Sequence, residues 1–280
     1  MNNTSKIILQ IGIVLGFLGT IAVNVLSSIG LINNISPEEL SDALPNLFVP
    51  SGLTFTVWGV IYIGLLALTI YVIRSWFIKD MDPPEVLEKM GIEFIVAAVA
   101  NISWIFLFHY QAELGTSLYS LIAMLILLAA LITAYVRLRV GKNDEATAGE
   151  KWFVHTPFSF YLGWITIATV ANISALLTEY ELDGLYTIPD NWKLILTIIV
   201  ISVAVIITLL ILLLRKDIAY SVIVIWALVG IIIKRYEVAP PVVLGVVIAA
   251  GVGIGLIIVM IGITAFRLIK ERKETQAITA

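Results

Sequence analysis

Eight stretches of this chain are long and apolar enough to cross a bilayer, and they leave little sequence for anything else. They run over 7–31, 51–76, 91–110, 115–137, 152–177, 193–214, 218–234 and 240–267. A crossing takes roughly 20 apolar residues in a helix, because lipid satisfies no open N–H or C=O. The seventh stretch is the shortest, with only 219–233 free of charge, so its flanking charges must snorkel. A mean hydropathy of +1.03 and 13% charged residues, against about 25% in soluble domains, exclude an ordinary soluble domain. The expected fold class is an all-α integral membrane protein. A net charge of −3 gives no argument for nucleic acid as a partner. The first stretch carries only Lys6 as its basic flank and no small-residue cleavage site, so it is read as a retained helix rather than a signal peptide.

Basic residues orient the spans. Fourteen of the seventeen Lys and Arg fall on the side that holds both termini and the 74–90, 138–151 and 215–217 connections. The opposite side has only Lys193, Lys234 and Arg235 among its cations. Its 32–50 and 178–192 loops are acidic, through Glu38, Glu39, Asp42, Glu179, Glu181, Asp183 and Asp190. The positive-inside rule then places a multi-pass protein in the cell membrane with both termini cytoplasmic.

Three spans repeat one polar-aromatic pattern on a single helical face: Trp58 and Tyr62, then Asn101, Trp104 and Phe108, then Phe160, Trp164 and Asn172. Spacings of 3, 4, 7 and 8 stack side chains on one face. Amides and indoles at membrane depth need partners that lipid cannot supply. At about 1.5 Å per residue, Trp58 and Asn24 lie about 10 Å below the outer ends of their helices. The convergence predicts a cavity opening toward the acidic side, with the Pro-containing 32–50 loop as its lid. The pentapeptide 99–103, Val-Ala-Asn-Ile-Ser, recurs at 170–174 and is read as pairing the third and fifth helices. Glycines at 12, 16, 19, 245, 251, 253 and 255 permit close helix approach, within the chain or across a homodimer seam.

Other features read as structural. Trp76, Trp152 and Trp192 at span ends are interfacial anchors, and mid-span Trp226, without a polar companion, packs or faces lipid. His109 and His155 lie at opposite membrane faces, cannot share a metal, and read as interfacial. Glu93 reads as snorkelling. There is no cysteine, no carboxylate pair inside a span and no midplane charge. That argues against ion-coupled transport and against acid–base catalysis in the membrane.

The same residues resemble a known family. Phe48-Val49-Pro50 followed by Val57-Trp58-Gly59-Val60-Ile61-Tyr62 resembles the Pro-to-Val-Trp-x-x-Leu-Tyr start of helix 2 in TspO/MBR proteins, the tryptophan-rich sensory or translocator proteins. Asn101 through Phe108 resembles their helix 3 Asn-x-x-Trp with its following Phe. Trp164, Ala168 and Asn172 resemble their helix 5 Trp-x-x-x-Ala-x-x-x-Asn. The resemblance covers 1–180; Phe160, Val49 and Thr56 stand where members often carry proline.

It implies a TspO-like five-helix domain over 1–180, here followed by a three-helix extension over 181–280. It also implies a pocket for porphyrins or other flat hydrophobic ligands. Trp58, Asn101, Trp104, Trp164, Ala168 and Asn172 would line or support that pocket, with Pro50 at the lid hinge. The physical reading adds Asn24, Tyr62, Phe108 and Phe160. The expectation is a receptor or sensor, not an enzyme, that needs no cofactor and takes protoporphyrin IX or a haem-like tetrapyrrole as ligand. A passive transporter of such ligands, a porphyrin-degrading enzyme using the same pocket, and a scaffold whose amides only pack helices stay open as alternatives.

Overall fold

A computed structural model describes residues 1–142, 145–182, 184, 186–238 and 243–279. Asp183, the side chain of Arg272 and the expected start of the eighth span at 240 lie outside the described residues. Among the described residues, eight helices have the length and composition of membrane spans: α1 (Asn3–Ser28), α2 (Gly52–Trp76), α3 (Leu87–His109), α4 (Ser117–Arg137), α5 (Ala148–Glu181), α6 (Asp190–Arg215), α7 (Ile218–Glu237) and α8 (Leu244–Glu271). The chain is a multi-pass membrane protein.

Local chemistry sets several of their ends. The Asn2 side chain caps α1 by accepting from the Ser5 N–H at 2.9 Å. Asp217 caps α7 through the Tyr220 N–H at 3.1 Å. α2 starts with a tight 3₁₀ stretch over Gly52–Thr56, and α5 contains a wide π-type turn over Lys151–His155. The α4–α5 connection needs a glycine at 141. Its φ is +73°, and a Cβ there would stand 1.7 Å from the Arg215 carbonyl oxygen.

Packing follows the buried faces. α3 lies against α4 and α1, α2 against α1 and α5, and α5 against α4 and α7. α6 and α8 pack on each other and on α7, so the last three helices join the first five mainly through α7. Half of the apolar window of α7 is buried, against 22% for α6 and for α8, which places α7 inside and the other two at the rim. Between lipid-solvated helices the attraction is van der Waals fit and hydrogen bonding rather than water expulsion. The glycines of α1 show it: a Cβ at Gly12 would stand 2.5 Å from Ile95 Cδ1, and one at Gly16 3.0 Å from Ala98 Cβ.

Three expectations change here. α3 and α5 pack mainly on α4 rather than on each other, and the two copies of the Val-Ala-Asn-Ile-Ser repeat meet only across the cavity that Asn101 and Asn172 line. Glu93 does not snorkel: it is buried and ion-paired with Arg137 of α4, which also donates to the Glu88 carbonyl at 2.5 Å. His109 and His155 are buried rather than interfacial. His109 Nε2 lies 2.6 Å from the Ser27 hydroxyl, and His155 lies 3.5 Å from Glu150.

The lid is ordered by its own caps and by α7. Its helix, Pro37–Ala43, begins with Ser36 and Glu39 capping each other reciprocally. The Ser36 backbone N–H and hydroxyl, both donated to Glu39, hold that carboxyl below its ordinary value. Leu40, Phe48 and Val49 turn inward and are buried.

An aromatic cavity under the lid

Three helices and the lid bring the polar-aromatic faces to one place. Ring centroids run in a continuous series from α3 to α5. Phe108 stacks on Trp104 at 5.1 Å, and Trp104 meets Trp58 edge-on at 6.4 Å. Trp58 meets Phe55 at 5.5 Å, and Phe55 meets Trp164 at 5.8 Å. Such edge-to-face and stacked pairs add about 0.5–1.5 kcal/mol each beyond their burial. The rings wall a narrow cavity of about 60 Å³. Its side chains therefore nearly meet, and anything larger than a few waters must part the lid or turn the rings.

Nine of the eleven residues singled out in the sequence line this space: Pro50, Trp58, Tyr62, Asn101, Trp104, Phe108, Trp164, Ala168 and Asn172. Asn24 stands behind the wall. Its amide donates to Asn101 Oδ1 at 2.7 Å and to the Thr20 carbonyl at 2.8 Å, fixing the Asn101 side chain from α1. Asn172 accepts from the Ser120 hydroxyl of α4 at 3.3 Å. Phe160 lies outside the cavity, and Tyr161 is in the wall instead. The helical period accounts for the exchange. At about 100° per residue, position 161 lies about 20° from both 168 and 172, whereas position 160 drifts about 120° from 172. The lid residues Leu40 and Ser41, together with Phe55 and Met124, also line the space and carried no repeating signal.

The polar lining consists of amides, hydroxyls and indole N–H groups, with no carboxylate or amine. One of these donors, Trp104 Nε1, is buried without a hydrogen-bond partner among the described residues, and the Tyr161 hydroxyl lies beside the Asn101 side chain. A buried donor left open costs about 1–3 kcal/mol. The described residues hold no cluster of His, Asp or Glu suited to a metal ion.

α7 fastens the start of α2. The Trp226 indole N–H donates to the Thr54 carbonyl at 3.0 Å, the Ser51 N–H to the Gly230 carbonyl at 2.9 Å, and the Ser51 hydroxyl to Glu237 at 2.7 Å. Trp226 is therefore half-buried with a polar companion, unlike its expected apolar role. Trp76, Trp152 and Trp192 are all exposed at helix ends, and Trp76 also donates to Gln10 Oε1 at 2.7 Å.

Comparison with known proteins adds one match. Residues 10–263 fit the family model described as TSPO-like protein. Comparisons with curated proteins and with solved structures gave no match. The matched range reaches into all eight spans, past the 1–180 region that carries the motif resemblance. With the span pattern and the ring of Trp and Asn residues, this establishes that the chain belongs to the TSPO-like protein family.

Proposed function

We propose that this protein is a cell-membrane receptor for a flat hydrophobic ligand of the tetrapyrrole class, protoporphyrin IX being the representative probe. The ligand's place is the cavity between α2, α3 and α5, beneath the 32–50 lid. The observation that carries the reading is the aromatic wall with a buried donor left open, Trp104 Nε1. Ring faces match a planar macrocycle, and the donor matches its polar edge. The lining offers contact and orientation rather than a nucleophile paired with a base, so the reading is of binding without turnover. Because the space is narrow as it stands, ligand entry requires the lid to part or the rings to turn.

The test is a titration of purified protein with protoporphyrin IX, followed at the Soret band. A saturable shift is expected, weakened about tenfold in Trp58→Ala by loss of a ring face. Asn101→Ala, which also strands Asn24, is expected to weaken it several-fold. A folded sample with no saturable shift, or affinities unchanged in both variants, would remove this reading.

Orientation has a separate test, made simple because the chain has no cysteine. With both termini cytoplasmic, as the basic-residue bias supports, Ala43→Cys in the lid should react with an impermeant maleimide on intact cells. Lys79→Cys, in the α2–α3 connection, should react only after lysis. The reverse pattern would invert the topology.

A further inference from the structure

Beside the aromatic cavity at the lid end, a wider cleft opens between lid residues 45–49 and helices α5, α6 and α7. Three cations line it, Lys193, Lys234 and Arg235, against two carboxylates, Asp42 and Glu181. The lysines are spoken for: Lys234 pairs with Asp42 at 2.6 Å, and Lys193 with Glu181 at 2.9 Å. Arg235 is left over. It is only 7% exposed and has no ion-pair partner among the described residues. Its Nη2 makes two long hydrogen bonds, to the carbonyls of Asn46 at 3.3 Å and Val49 at 3.4 Å, and its Nε makes none.

A buried guanidinium without a counter-charge is costly, and its planar fork of donors matches an oxyanion bidentately. Two carbonyls at long range satisfy part of that fork and none of its charge. Val49 lines both this cleft and the aromatic cavity, so the two spaces are neighbours across a single lid residue. A molecule with an apolar body in the cavity can therefore place an anionic end beside Arg235.

Resting on the reading above, we propose that Arg235 is an oxyanion-binding residue that takes the carboxylate or phosphate end of an amphipathic ligand. This assigns to α7, one of the last three helices, a direct part in ligand recognition and a preference for acidic over neutral hydrophobic ligands.

The experiment uses full-length protein in an uncharged sugar detergent and two matched probe pairs. In the first pair, wild type binds protoporphyrin IX about tenfold or more tightly than its dimethyl ester, which lacks both carboxylates. Arg235→Gln binds the two alike, with ester affinity at the wild-type level, which also shows that the variant is folded and its cavity intact. Arg235→Lys, which keeps charge but loses the fork, retains part of the preference and serves as the comparison should Arg235→Gln fail to fold. In the second pair, dioctanoyl phosphatidylglycerol raises the Tm of wild type more than dioctanoylglycerol does, and Arg235→Gln loses the difference. A carboxylate preference alone identifies the ligand's own acid as the occupant; a phosphate preference alone assigns the site to a lipid headgroup. Equal behaviour within both pairs in wild type, or preferences that survive in Arg235→Gln and Arg235→Lys, overturns the proposal. Absence of saturable binding by either porphyrin refutes the cavity reading instead, and leaves the phosphate pair to decide the Arg235 site.

Discussion

Asp217→Ala is expected to lower the Tm in detergent by about 5–10 °C, the effect of losing roughly 2–4 kcal/mol from a chain of this size. The carboxylate is buried where α4, α5 and α7 meet. One oxygen accepts from the Tyr135 hydroxyl at 2.8 Å and the Ser159 hydroxyl at 2.7 Å, and the other caps α7 through the Tyr220 N–H at 3.1 Å. Ser159 has a second acceptor in the His155 carbonyl at 3.0 Å, so the main losses are the Tyr135 bond and the cap. Each stranded donor costs about 1–3 kcal/mol, and a lost cap about 1 kcal/mol. Asp217→Asn keeps an acceptor and should cost less than half as much. A Tm within 2 °C of wild type for Asp217→Ala would show that this contact does not anchor the last three helices to the first five.

The second large effect is expected at the seam between α7 and the start of α2. A Cβ at Gly230 would stand 1.9 Å from Thr54 Oγ1 and 3.0 Å from Thr54 Cβ, and Thr54 is itself fully buried. Rotating the hydroxyl away leaves the Cβ contact, so the helix must move. Overpacking of this kind costs about 1–3 kcal/mol, more than the ~1 kcal/mol that replacing glycine by alanine gains in helix propensity. Gly230→Ala is therefore expected to destabilise on balance and to loosen the lid hinge, because the bonds from Ser51 to Gly230 and from Trp226 to Thr54 bridge the same surfaces. Adding Thr54→Ala should restore part of the loss. Additive effects in the double-mutant cycle would contradict the seam as described.

Much of the site could be read from the chain because its residues repeat at helical spacing on three spans. Trp58, Asn101, Trp104, Trp164 and Asn172 have a face, and faces are countable. Tyr161 was eclipsed by Phe160 because a four-residue step from Trp164 looks right locally, while the drift appears only over three turns. Leu40 and Ser41 belong to a lid whose inward side is set by its seat on the bundle, which has no period to read. Glu93 and His109 were misplaced for a shared reason. A polar residue near a span end is usually in water, unless a partner from another helix buries it. Arg137 lies 44 residues from Glu93, and Ser27 lies 82 residues from His109.

The spans, their number and the faces that avoid lipid follow from the order of residues alone. A bilayer imposes a length and a hydrogen-bonding requirement on each segment separately. Which faces meet was settled by packing in three dimensions. That packing placed α7 rather than α6 or α8 against the first five helices, because α7 and its cap supply Gly230, Trp226 and Asp217 to partners lying as far as 179 residues away. It also left Arg235 without a counter-charge among the described residues beside the lid, since Lys234 and Lys193 reach the nearby carboxylates. Pairing of that kind depends on three-dimensional proximity, and no periodicity within a single helix encodes it.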